Sequence, residues 1–251
     1  MLVMGILNIT PDSFADGGRY DSFNKAVERA REMILEGVDI IDIGGESTRP
    51  GADRVSEAEE LARVIPVITE LAKDGVQLSI DTMRASTARA AIAAGAHIIN
   101  DVSGGLSDPE MLATAAELKT PYIAMHWRGQ SKEMNAMAIY HDVVREVIAE
   151  LQGRITAALD AGISHDKLII DPGIGFAKDA HHNWEIIDHI EEFVELGYPV
   201  LVGASRKRFL GGDTPDEREA ASIALTKRLS TTGIWGVRVH SVKPHKDVIS
   251  I

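Results

Sequence analysis

Eight short apolar runs recur along the chain, and they constrain its fold more than any other feature. They are LVMGILNI (2–9), VDIIDIGG (38–45), QLSIDT (77–82), HIINDV (97–102), PYIAMH (121–126), KLIIDPG (167–173), PVLVGAS (199–205) and GVRVHSV (236–242). Each is rich in β-branched residues and bounded by turn formers, so each reads as a strand. Between them lie longer segments with helical periodicity, among them NKAVERAREMILEG, SEAEELARVIPVITELAKDG and HDVVREVIAELQGRITAALDAG. Several end at a glycine placed to terminate a helix: Gly37, Gly75, Gly95, Gly162, Gly197 and Gly233. Near-continuous apolar strands that alternate with helices imply a parallel sheet covered by those helices. Eight such units without a long linker predict an α/β fold, a (β/α)8 TIM barrel forming a single domain over residues 1–251. A doubly wound sheet fits less well, because no G-x-G-x-x-G follows the first run. Few residues follow the eighth run, so the last helix is expected to be short or absent.

Composition narrows the function. A formal net charge of -12 argues against sequence-independent binding to nucleic acid or to an anionic membrane. The chain has no cysteine, which excludes disulfides, thiolate metal sites and cysteine nucleophiles. The opening run MLVMGIL carries no basic residue and is too short to span a bilayer, so it reads as a strand of a cytoplasmic protein.

In a barrel of this kind the active site forms at the C-terminal ends of the strands. The residues closing the runs are Asn8, then Glu46-Ser47-Thr48-Arg49, Asp81, Asn100-Asp101, His126, Asp171, Ser205-Arg206-Lys207, and finally Arg238 with His240. One Asp or Asn at a strand end is an ordinary turn former or helix cap. Eight polar ends delivered to one face point to a site. Asp81 and Asp171 each close an apolar run, where an unpaired carboxylate is costly, so both need partners or a ligand bearing N–H groups.

Asp81, Asn100, Asp171 and Lys207 suit a flat heterocycle with adjacent donors and acceptors, since an ionised carboxylate accepts paired N–H bonds from a guanidine-like edge. Asn8, Arg49, Arg238 and His240 gather near the seam of strands 1 and 8 and form a separate anion site, best suited to phosphate. The planar guanidinium of Arg238 can also stack on a flat ring. The stretch NITPDSFADGG carries more hydrogen-bonding capacity than a turn requires.

These residues resemble the dihydropteroate synthases, along the whole chain. The motifs MGILNITPDSFADGG, DIGGESTRPGA, SIDTMR, INDVSGG, MHWRG, DPGIGFAK, GASRKRFLG and GVRVH occur in the family's order. The resemblance implies that 6-hydroxymethyl-7,8-dihydropterin diphosphate and 4-aminobenzoate combine to give 7,8-dihydropteroate and pyrophosphate. It implies that the C–O bond breaks first and the aniline nitrogen attacks a pterin-stabilised carbocation, so the site must hold pyrophosphate, bury the pterin and exclude water. Position by position, it implies that Asp81, Asn100, Asp171, Lys207 and Arg238 bind the pterin. Asn8, Arg49, Arg238 and His240 would bind the diphosphate, with Asn8 also contacting Mg²⁺. Thr48, Arg49, Pro50, Phe176, Ser205 and Lys207 would surround the aminobenzoate. Lys207, Arg49, Asp81 and Asp171 are the residues expected to carry catalysis. The resemblance further implies that residues 9–18 form a lid closing with the GESTRPG loop, that sulfonamides inhibit, and that the protein is a homodimer. The short final helix counts against the dimer.

Two rival readings fit less well. Methyltetrahydrofolate-dependent methyltransferases share the barrel but need neither the diphosphate cluster nor the SRK lysine. A non-catalytic pterin-binding paralogue would be expected to lose Arg49, Lys207, Arg238 or the NITPDSF loop, and this chain keeps them all. His181 and His182 read as surface residues at a helix start, and His126 stays outside the site. Met4, Ile98 and Met125 read as core. Segment 128–138 reads as a variable loop, and DEREAAS (216–222) as a solvated helix start.

Overall fold

Strand side chains alternate between two faces, and in this chain that alternation builds two separate apolar cores. The structure, a computed structural model, describes residues 1–9, 18–47, 54–130 and 134–249. All eight expected strands are present: β1 Leu2–Asn8, β2 Ile40–Gly44, β3 Gln77–Asp81, β4 Ile98–Asp101, β5 Tyr122–Met125, β6 Leu168–Asp171, β7 Leu201–Val202 and β8 Gly236–Val239. They pair in parallel in the order β6-β5-β4-β3-β2-β1-β8-β7. A parallel bridge between Ile170 and Val200 joins the two ends and closes the barrel.

Outward-facing Val3, Ile41, Ile43, Leu78, Ile80, Ile99, Ile170 and Val237 pack into one large cluster with helical residues such as Met33, Val64, Ile68, Val147 and Ile186. Those residues come from the surrounding helices α1 Gly18–Leu35, α2 Glu57–Leu71, α3 Ala85–Ala93, α4 Met111–Leu118, α5 Val143–Asp160, α6 Ala180–Asp188, α7 Ile190–Val194, α8 Glu219–Leu229 and α9 Lys243–Ile249. The inward-facing Met4, Ile40, Ile98, Ile123, Ile169 and Leu201 form a second cluster that plugs the barrel interior, with Leu2 and Trp235 packed against it. Burying each such side chain contributes roughly 1.5–3 kcal/mol. The interior is therefore a filled core, and any ligand must enter above the plug.

Local chemistry sets the helix ends. Gly37, Gly75, Gly95, Gly162, Gly197 and Gly233 all take positive φ, as their placement after helical periodicity predicts. Ser56 caps α2 through the Glu59 N–H, and Asp142 caps α5 through the Arg145 N–H. Asp179 and His182 form a capping box at the start of α6, while His181 is exposed. Helix α8 begins at Glu219, after an exposed stretch over 213–217. The final helix α9 is short, with 7 residues. Within 128–138 the described residues include one 3₁₀ turn, Met134–Met137, while residues 131–133 lie outside the described residues.

Candidate active site

Two residues beyond the apolar plug along the same strands, the inward positions turn polar. Ile40 is followed by Asp42, Ile98 by Asn100 and Ile169 by Asp171, while Arg238 comes from β8. Arg238 donates from Nε to Asp42 Oδ2 and from Nη2 to Asp81 Oδ2, both at 2.6 Å. Asn100 Nδ2 donates to the same Asp42 oxygen at 2.9 Å. With Nδ2 committed, Oδ1 is the Asn100 atom left to accept from a ligand. The Asn8 amide oxygen and Asp81 Oδ2 both lie beside Gly44, each 3.6 Å from where a Cβ on that glycine would stand.

The β6–β7 side of the mouth is built from the DPGIGF and SRK loops. Asp171 Oδ1 accepts the Gly173 N–H at 2.7 Å. Lys207 Nζ donates to the Ile174 carbonyl and sits 4.5 Å above the centre of the Phe176 ring. Gly173 takes φ of 69°, and a Cβ there would stand 2.4 Å from the His126 carbonyl oxygen, so only glycine fits this turn. Ser205 Oγ lies 3.1 Å from His240 Nδ1.

Burial governs the charges. It raises Asp81 to about 7 against the pull of Arg238, with Asp42 and Glu60 pushing in the same direction as burial. Asp171 is also raised by burial, opposed by the Gly173 N–H and by Lys207. Burial lowers Lys207 to about 8, partly offset by Asp171. Arg238 stays cationic: Asp42 and Asp81 outweigh its burial and raise its pKa. Burial thus pushes two carboxylates and an amine towards their neutral forms, and a charged or hydrogen-bonding ligand would act against that push.

Asp81, Asn100, Asp171, Lys207 and Arg238 converge as expected, and Ser205 meets His240. Arg238, expected in both the pterin and the diphosphate sets, is tied through its guanidinium to two buried aspartates, Asp42 and Asp81. Lys207 is half-buried, its Nζ held between Ile174 and Phe176. Thr48, Arg49 and Pro50 lie outside the described residues, as does most of the expected lid, residues 10–17.

Sequence reasoning missed Asp42, which is fully buried and binds two site residues through one oxygen. Its signal was an aspartate inside the apolar run VDIIDIGG, two positions short of the strand end. Met125 does more than fill the core: with Met83 and Val102 it forms a small apolar cluster at the strand ends, against which Trp127 and Phe176 pack. The mouth therefore pairs a polar floor with an apolar wall, the combination expected of a small-molecule site.

A family model described as pterin binding enzyme matches residues 4–240. The dihydropteroate synthase of Mycobacterium leprae (strain TN) is 46% identical over 259 residues, covering 99% of this chain and 91% of the relative. That of Bacillus subtilis (strain 168) is 49% identical over 246 residues, covering 96% of this chain and 84% of the relative. Among solved structures, a Xanthomonas albilineans dihydropteroate synthase with 4-aminobenzoic acid superposes with a TM-score of 0.93 at 44% identity, covering 99% of this chain and 90% of that one.

Proposed function

The chain belongs to the pterin-binding enzymes, and we infer that within them it is a dihydropteroate synthase, a transferase that condenses 6-hydroxymethyl-7,8-dihydropterin diphosphate with 4-aminobenzoate to give 7,8-dihydropteroate and pyrophosphate. The observation that carries this reading to individual residues is the convergence of Asp81, Asn100, Asp171, Lys207 and Arg238 above the apolar plug. A pterin offers a guanidine-like edge of N–H donors beside ring acceptors. Asp171 and Asp81 accept those N–H groups, Asn100 Oδ1 adds an acceptor, and Lys207 donates to the ring's acceptors. Binding N–H donors favours the ionised carboxylates, which burial alone disfavours.

The reaction breaks the C–O bond between the pterin methylene and the diphosphate, and the electron pair leaves with pyrophosphate. The cation formed is stabilised by the pterin ring and by the adjacent carboxylates. The aniline nitrogen then supplies its lone pair to form the C–N bond, and one N–H proton passes to solvent. Phe176 and the apolar wall of Met83, Val102 and Met125 limit water at the cation. Lys207 over the Phe176 ring, with Ser205 beside it, serves the aminobenzoate side, together with Thr48, Arg49 and Pro50. Arg238 and His240, with Arg49, serve the leaving diphosphate, and the flat guanidinium of Arg238 also stacks on the pterin.

The donor set also fits Mg²⁺. Asn8 Oδ1 is a hard oxygen at the mouth. Such a site suits an ion that keeps waters and takes its remaining ligands from substrate phosphates. When bound, the ion neutralises charge on the departing pyrophosphate. The protein further reads as cytoplasmic from its opening run MLVMGIL and as a homodimer from the family resemblance. Among the described residues no helix is long and apolar enough to cross a membrane.

The test is pyrophosphate release from the pterin diphosphate with Mg²⁺, measured with and without 4-aminobenzoate, with the product identified. Aminobenzoate-dependent release and dihydropteroate are expected. Tight pterin binding without turnover would instead make the chain a non-catalytic binder.

A further inference from the structure

Behind the aminobenzoate side of the mouth, three side chains distant in sequence form a line that the chemistry above does not use. His126 follows β5 and is 1% exposed. Its Nδ1 lies 2.8 Å from Lys178 Nζ, and its Nε2 lies 2.9 Å from Glu150 Oε2 on α5. Lys178 Nζ also donates to the carbonyls of Gly173 and Phe176, each at 3.1 Å. Glu150 is gripped from the far side by Arg128 Nε, at 3.0 and 3.1 Å.

An ammonium has three N–H donors, and Lys178 meets three acceptors. With the proton on Nζ, His126 accepts at Nδ1 and donates from Nε2 to Glu150. If the proton moves to Nδ1, both carbonyls still keep an N–H donor and Nε2–H still faces the carboxylate. Burial lowers both Lys178 and His126, the latter to about 4. Glu150, although burial opposes it, is brought down to about 2 by the bonds from His126 and Arg128, and it supplies the balancing negative charge.

What this line holds is the backbone of the DPGIGF loop. Gly173 and Phe176 give their carbonyls to Lys178, Ile174 gives its carbonyl to Lys207, and the Gly175 N–H goes to Asn183 Oδ1 at 2.6 Å. Most polar groups of the turn are thereby fixed before any ligand arrives. We propose that Lys178, oriented by His126 and Glu150, is a positioning residue that sets the DPGIGF loop so that Phe176 receives the aminobenzoate. This rests on the synthase reading and on Phe176 serving that substrate.

The test varies each substrate separately for the unaltered enzyme, Lys178→Met and Glu150→Gln, with thermal melts of all three. Lys178→Met is expected to raise the KM for 4-aminobenzoate by about tenfold or more while the KM for the pterin diphosphate stays within about twofold. Glu150→Gln, at a partly exposed position, is expected to shift the same constant by roughly two- to fivefold. It decides the matter if the lysine variant does not fold. A rise in both KM values together would mark a general structural role, and no change in either would remove the line from function; each overturns the proposal. Absence of dihydropteroate from the unaltered enzyme would sink the synthase reading and this inference with it, whereas normal turnover with unshifted variants sinks the inference alone.

Discussion

The barrel interior has two layers built by the same rule and filled with opposite chemistry. The lower layer, Met4, Ile40, Ile98, Ile123, Ile169 and Leu201, is apolar and closed. The upper layer, two residues further along the strands, holds Asp42, Asp81, Asn100, Asp171 and Arg238, largely buried yet polar or charged. The lower layer stabilises by removing apolar surface from water and by close packing. The upper layer sits in its place only because each charge is matched: remove one partner and a buried ion is left without compensation. One layer can be judged by stability alone, while the other carries its purpose in what it will bind.

The sharpest way to break this contrast is Arg238→Met, which leaves Asp42 and Asp81 facing each other without the guanidinium. At pH 8 the expected loss is about 3–5 kcal/mol, together with loss of turnover, read from urea unfolding and the product assay. The pH dependence follows from Asp81. Its pKa is raised on folding, from 3.8 to about 7, so the folded state binds the proton more tightly than the unfolded chain does. Its contribution to stability is therefore fully present below about pH 4 and is lost as pH rises towards 7. In the methionine variant that loss extends to higher pH, since the opposing cation is gone. Below pH 6, with Asp81 protonated in both proteins, the penalty of the substitution shrinks. A penalty equal at pH 5.5 and pH 8 would show that the ionised Asp81 is not what Arg238 compensates.

A lower-layer substitution gives the complementary result. Ile98→Ala is expected to cost about 2–4 kcal/mol through lost burial and the cavity left behind. At a temperature where the variant stays folded, its kcat/KM is expected to lie within about twofold of the unaltered enzyme. A large kinetic loss in the folded variant would mean that the plug also sets the height of the binding floor, and the two layers would not be separable.

How much of this was legible in the sequence follows the range of the interactions involved. The strands, the terminating glycines and the single parallel sheet rest on local patterning, and all eight runs fell where apolar periodicity placed them. Residues at strand ends were legible because topology alone sends them to the mouth. Asp42 was not, because its role depends on partners at 100 and 238 that only closure of the barrel brings together. The same holds for Lys178 and His126, 52 residues apart and joined through β5 and the turn after β6. The tie between Arg238 and the buried carboxylates of Asp42 and Asp81 was likewise not legible, because those partners lie 196 and 157 residues away in sequence.

Ser79 sharpens the boundary between the layers, and its expected effect is the smallest. It is inward-facing on β3, fully buried, and in register with Asp42 on one side and Ile98 on the other. Its Oγ and the Asp42 Oδ1 are both buried without a protein hydrogen-bond partner. A buried hydroxyl that makes no bond costs free energy, so Ser79→Ala is expected to be neutral or stabilising by up to about 1 kcal/mol, with the KM for the pterin diphosphate unchanged. Urea unfolding of the variant decides between two pictures of the boundary. If Ser79→Ala destabilises by more than about 1 kcal/mol, an ordered water bridges Ser79 to Asp42, and the polar layer reaches one step deeper than its side chains do. If it does not, the change from apolar to charged interior occurs within a single step of the strand, between Ile40 and Asp42, and the binding floor rests directly on a dry core.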